Sequence, residues 1–168
     1  MDTDQKKISS LLTIICLIVI VICAIIIFGV YMNKKWERMR DIRRRSDVAQ
    51  VKKALEYHKF EFNSLPDNQT DGQWDVSYDA VNGRQALFKE LQSKGIVSNI
   101  FDPKNNSKYY YRYHKFDNGE YGCSGEYAIF QVMNFEGSNL SGHGEGSCPE
   151  RDFASETPNG YTLQFWVD

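Results

Sequence analysis

The run Ile8–Met32 contains no charged side chain over 25 positions. A helix rising about 1.5 Å per residue reaches about 37 Å over that length, beyond the roughly 30 Å hydrocarbon core of a bilayer, so it spans with a modest tilt. The rest of the chain must be arranged around a segment that water disfavours. Tyr31 and Trp36 fall where aromatic rings settle at a membrane interface. A cleaved secretory signal is the competing reading. Its apolar core runs about 7–15 residues and ends at small residues, whereas this run is longer and ends in Tyr31-Met32-Asn33-Lys34-Lys35. The expectation is a retained transmembrane helix over residues 8–32 behind a short cytoplasmic tail, residues 1–7. Cys16 and Cys23 read as small apolar residues on one face of it.

Charge divides the chain. Residues 1–45 hold nine Lys/Arg and four Asp/Glu, a balance of +5, and residues 46–168 hold eleven and eighteen, a balance of −7. An acidic folded part argues against a nucleic-acid partner, because phosphate binding needs a basic face. The length suits one domain plus an anchor.

Residues 33–62 contain neither Pro nor Gly, so the transmembrane helix is expected to continue through them. Lys34 to Asp47 is charged all round and reads as solvated or facing lipid headgroups. Val48, Val51, Leu55, His58 and Phe62 then recur at spacings of three and four, an apolar face opposed by Lys52, Lys53, Glu56 and Lys59. That face must pack on something. Asn63-Ser-Leu-Pro66 stops the helix. Residues 67–83 read as loop, with Trp74 and Tyr78 filling the core. Gly83 to Gly95 reads as a short helix with Ala86, Leu87, Phe88 and Leu91 inward and Gly95 as its stop. Three segments read as strands: Lys108–His114, Glu126–Asn134 and Tyr161–Val167. Asp117-Asn118-Gly119 is a hairpin signal between the first two, and a Gly/Ser-rich stretch, 137–160, separates the last two. The fold class expected is α+β: a long N-terminal helix packed on a three-stranded antiparallel sheet, with a short extra helix, and residues 63–168 forming the globular domain.

This order resembles the type IV pilins and the pseudopilins of type II secretion, the major pseudopilin type in particular. Arg40-Asp-Ile-Arg-Arg-Arg-Ser-Asp-Val-Ala-Gln-Val-Lys-Lys-Ala-Leu-Glu-Tyr-His58 is similar to the family's charged stretch leading to an Ala-Leu-Glu-x-Tyr helix end. Asn63-Ser-Leu-Pro66 resembles the Asn-Gly-x-Tyr-Pro that closes that helix, and Phe101-Asp-Pro103 before Tyr109-Tyr-Tyr-Arg-Tyr113 resembles the Asp-Pro entry to the first strand. The likeness covers residues 8–135. The family carries a Gly before the apolar segment, where a peptidase cuts, and a Glu five residues into the mature chain. Asp4–Ser10 holds no Gly and the apolar run no Glu, so the expectation is an anchor that stays uncleaved. The resemblance implies a domain outside the cytoplasm and, in major pseudopilins, calcium bound by loops of the C-terminal sheet.

Two cysteines follow the anchor, Cys123 and Cys148. In an exported domain they would close a disulfide loop of 26 residues counting both ends, stabilising by about 3–4 kcal/mol on chain-entropy grounds; two free thiols are the alternative. Counted literally, the bases after the anchor place the domain in the cytoplasm. The cysteine pair and the resemblance favour the extracytoplasmic side, since the family's own post-membrane helix is often Arg-rich.

Asp117, Asn118 and Glu120 are the candidate calcium ligands, oxygen donors around a glycine turn; the same residues also make an ordinary hairpin turn. His143 with Cys148 is a conceivable nucleophile pair, and Cys123, His143 and Cys148 a conceivable zinc set, though neither has a recognisable scaffold or spacing. His58 lies on the apolar helix face and is expected to be packed and hydrogen-bonded. No cofactor is expected and no enzyme activity.

Two functions follow. One is a non-catalytic pilin-like or pseudopilin-like membrane subunit or accessory, whose partners are the lipid bilayer and other pilin-like subunits or secretion-machine components. The other is a membrane-anchored extracytoplasmic binding domain that engages a ligand through the 137–160 loop.

Overall fold

A computed structural model describes residues 2–69, 73–78, 87–98, 100–137 and 146–167, with side chains from residue 13 onward. The chain divides into two compact units, Met1–Met39 and Arg40–Asp168. One helix, α1 (Asp2–Phe62), runs through the boundary. In the first unit it is long and apolar enough to cross a membrane, and none of its most apolar window is buried within the protein.

The second unit is α+β. After α1 come β1 (Asp75–Val76), α2 (Lys89–Ser93), β2 (Tyr111–Phe116), β3 (Tyr127–Val132), β4 (Ser147–Cys148), β5 (Arg151–Asp152) and β6 (Tyr161–Trp166). The main sheet is antiparallel in the order β1-β2-β3-β6, and β4 and β5 form a separate two-stranded ribbon. The three expected strands are present, but among the described residues the sheet has four. The extra strand, β1, arises within the segment read as loop. Its two residues pair with Tyr113 and Arg112. The Asn68 side chain extends the same edge, donating to the Lys115 carbonyl at 3.1 Å and accepting its N–H at 2.8 Å. A two-residue strand leaves no alternation to read, which is why it escapes the pattern.

Alternation sorts the strands onto two faces. On one, Tyr111, Tyr113, Ala128, Phe130 and Val132 join Val51, Ala54 and Leu55 of α1 and Leu87, Phe88 and Leu91 around α2 in a single apolar cluster. On the other, Phe116, Tyr127 and Ile129 pack with Cys123, Cys148 and Phe153. All six residues of β3 are buried, because the sheet is covered on both sides. The second cover comes from the Gly/Ser-rich stretch itself. Residues 138–145 lie outside the described ones, but 146–160 contain the β4–β5 ribbon and a 3-10 turn, Ala154–Glu156, with Phe153 fully buried beneath. A disulfide joins Cys123 to Cys148, Cα to Cα 5.1 Å, and holds this cover to the loop before β3.

Of the segment read as a short helix, Gly83–Ala86 lie outside the described residues, and the helix itself, α2, begins only at Lys89, with Leu87 and Phe88 in the turn before it. Gly95 stops it as expected, with φ +69° and its N–H on the Gln92 carbonyl. Of the expected apolar stripe, Val51, Leu55 and His58 are buried and Phe62 is 45 % exposed. Trp74 packs on the second cluster and Tyr78 is half-buried.

Candidate functional site: a buried charge cluster

The Lys34–Asp47 stretch is not solvated all round. Asp41, Arg44 and Asp47 are buried. Their spacing of three continues the stripe Val48, Val51, Leu55 and His58 toward the N-terminus, so the inward face of α1 changes from apolar to ionic without changing direction. A buried guanidinium must be fully partnered, and this one is. Arg44 donates to Asp102 through Nε at 2.6 Å and Nη2 at 2.9 Å, a bidentate fork, and through Nη1 to Asp41 at 2.6 Å and Glu136 at 3.0 Å. Its plane sits 5.0 Å from the centre of the Tyr109 ring.

The carboxylates are equally engaged. Glu136 receives a second fork from Arg40, at 2.7 and 2.6 Å, and the Lys104 ammonium at 2.6 Å. Asp41 accepts the main-chain N–H groups of Glu136 and Gly137. Asp102 accepts the Lys104 N–H at 2.8 Å, which turns the chain just before Pro103 leads toward β2. Burial alone would push the Glu136 carboxyl up, but the hydrogen bonds of Arg40, Lys104 and Arg44 outweigh it and hold it at about 2. Arg44 is driven the other way: burial opposes its charge, yet Asp102, Glu136 and Asp41 together raise it above its ordinary value. Beside the cluster, Tyr111 donates its hydroxyl to Asp47 at 2.8 Å. Burial keeps the Asp47 carboxyl above the ordinary carboxylate range in spite of that bond. Among the described residues no buried side-chain nitrogen or oxygen lacks a partner. The arrangement is a clamp: it fastens α1 to the 102–104 turn and to the chain leaving β3.

A smaller cluster lies at the other end of the same stripe. His58 donates from Nδ1 to the Ser64 carbonyl at 2.8 Å, and its Nε2 is 3.1 Å from both Glu90 and Lys94. Lys94 closes the set with Glu90 at 2.6 Å and stands 3.7 Å from the Phe62 ring centre. Glu90 is lowered: burial raises it, but Lys94, the Asp67 N–H and His58 prevail. His58 is packed and hydrogen-bonded, as its place on the stripe implies.

No family model, curated protein or solved structure matches this chain.

The candidate calcium ligands Asp117, Asn118 and Glu120 lie in an exposed loop. The connection from β2 to β3 spans residues 117–126 and includes a 3-10 turn, Glu120–Gly122, so Asp117-Asn118-Gly119 is not a tight hairpin. Glu120 accepts the Asp117 N–H at 2.6 Å and Asn118 accepts the Gly125 N–H at 2.7 Å. Calcium takes about six to eight oxygens; here the side chains of Glu120 and Asn118 are turned onto the loop's own amides. Among the described residues no group of three or more His, Cys, Asp or Glu could hold a metal ion. His143 lies outside the described residues. Cys123 and Cys148 are joined to each other, so neither presents the thiolate that a nucleophile or a zinc ligand requires. Asp41, Arg44, Asp47 and Glu136 went unassigned in the sequence. The signal was the three-residue spacing of 41, 44 and 47 in phase with the apolar stripe.

Proposed function

We propose that the chain is a non-catalytic, single-pass membrane subunit of the pilin or pseudopilin kind, a component or accessory of a type IV pilus or type II secretion-like assembly. Its globular unit stands outside the cytoplasm, and its partners are the bilayer and other pilin-like subunits or secretion-machine components. One observation carries the reading. The apolar run and a stripe packed against an antiparallel sheet belong to the same helix, Asp2–Phe62. The disulfide supports the extracytoplasmic side, since such bonds persist in oxidising compartments. The fully partnered charge cluster suits a part that holds its shape under load better than one that turns over a substrate.

The test has two arms. In intact cells, an impermeant thiol reagent applied after reduction should label Cys123 and Cys148; labelling only after lysis would overturn the placement. Deleting the gene should abolish pili or secretion. Normal pili and secretion in the deletion strain would sink the assembly role.

A further inference from the structure

The two edges of the main sheet are finished differently. At one edge β1 is two residues long, and beside it the Asn68 side chain occupies the main chain of Lys115. A short edge of that kind resists pairing with a foreign strand. At the other edge β6 runs six residues, Tyr161–Trp166, with no charge and no Pro, and among the described residues its strand partner is β3 alone. The Val167 N–H bonds the Glu126 carbonyl at 2.9 Å, which sets the alternation along the ladder. Tyr161, Leu163 and Phe165 turn their main-chain groups to β3, and Thr162, Gln164 and Trp166 turn theirs outward. A groove of about 440 Å³ lies here, lined by Phe165, by Glu56, Lys59 and Phe60 of α1, and by Asn63 just beyond that helix. Phe60 is 87 % exposed. The outward N–H and C=O groups fit an extended main chain, and the groove fits the apolar side chains that such a strand directs to one face at alternate positions. Residues 46–168 balance −7, a charge that repels a second copy and draws a basic segment.

We propose that β6 is a docking edge for an extended segment of another protein, apolar at alternate positions and basic at its flanks. The segment adds to the sheet antiparallel to β6 and seats its apolar side chains against Phe60 and Phe165. The parity of the pairing is fixed. Residues of the segment opposite Thr162, Gln164 and Trp166 make the main-chain bonds, and their side chains lie on the face away from α1. Residues opposite Leu163 and Phe165 point their side chains to the α1 face and their N–H groups away from β6.

The probe is a fluorescent peptide of alternating Thr and Val flanked by lysines, titrated onto the full chain in nanodiscs and read by anisotropy above the signal of empty nanodiscs. It should bind saturably and slow deuterium exchange at the amides of Thr162, Gln164 and Trp166. Methylating the main-chain nitrogens of its Thr residues should abolish binding, whereas methylating those of its Val residues should leave it, because only the first set faces β6. Phe60→Ala, a change at an exposed position, should weaken binding about tenfold, as loss of an aromatic anchor does. A peptide flanked by glutamates should bind more weakly, and the difference should shrink with added salt. Equal binding by the two methylated peptides, protection that bypasses these three amides, or undiminished affinity in Phe60→Ala overturns the proposal. Protection of the same amides without peptide, growing with the concentration of the chain, also overturns it, because the occupant would then be a second copy.

Discussion

Arg44 sits with 0 % of its side chain exposed and oxygens of three carboxylates around it. Removing it strands buried carboxylates, and changes of that kind cost about 3–5 kcal/mol. Arg44→Met should lower unfolding free energy by about that amount in denaturant titrations of the detergent-solubilised chain. Arg44→Lys should recover little of it, because a lysine cannot form the Asp102 fork. Tyr111→Phe makes a narrower test. It takes the hydroxyl from Asp47, whose carboxyl is raised by burial. The loss should be about 1–3 kcal/mol where Asp47 is ionised, and smaller in acid, where it is protonated. Gly160 is constrained by space. A Cβ there would lie 2.0 Å from the Val132 carbonyl oxygen and 2.7 Å from that of Met133, both main-chain atoms that cannot swing aside. Gly160→Ala should therefore fail to give folded protein, read as loss of the disulfide-dependent gel shift and of protease resistance.

At the scale of elements, the segment leaving β3 is fixed to α1 chiefly through Glu136, and that attachment has a sign in pH. Its folded carboxyl lies at about 2 against an ordinary 4.5. The stabilisation is complete above about 4.5 and fades as pH falls toward 2, by about 3 kcal/mol in all. Asp47 runs opposite: with its folded value raised, it favours the native state as pH falls. Glu136→Gln should flatten the acid limb of the stability curve while lowering the neutral plateau, followed by circular dichroism. The same elements show what the chain makes legible. Strands β2, β3 and β6 announce themselves through aromatic and β-branched runs, and Val51, Leu55 and His58 through helical spacing. The charged half of the stripe is hidden from an apolar periodicity, because Asp41, Arg44 and Asp47 keep the phase but carry the opposite polarity. The burial of Phe153 and the cover that the Gly/Ser-rich stretch lays over the sheet are not legible in composition, since glycine-rich segments signal turns without saying whether they pack. Asp102 and Glu136 meet Arg44 only because the fold brings positions 58 and 92 residues away together.

At the scale of the molecule, the two covers of the sheet are held by different means. α1 is fastened by an apolar cluster and a charge clamp, the β4–β5 layer by Phe153, Gln131 and a covalent bond. Gln131 donates to the Phe153 carbonyl at 2.7 Å and accepts from Arg112 at 2.6 Å. Cys123→Ser/Cys148→Ser should cost about 3–4 kcal/mol, and Trp74 and Trp166, which pack on that side, should report the opening by fluorescence before the helix signal falls. Strand β3 lies between these covers, with both faces buried and both edges paired. Its amides have no local route to solvent, so they should exchange with deuterium only when the whole unit opens, on the slowest clock in the chain. The two residues of β1, paired on one side to β2, should exchange by fraying. The strand most shielded from water thus sets the lifetime of the fold, and the shortest one keeps the fastest time.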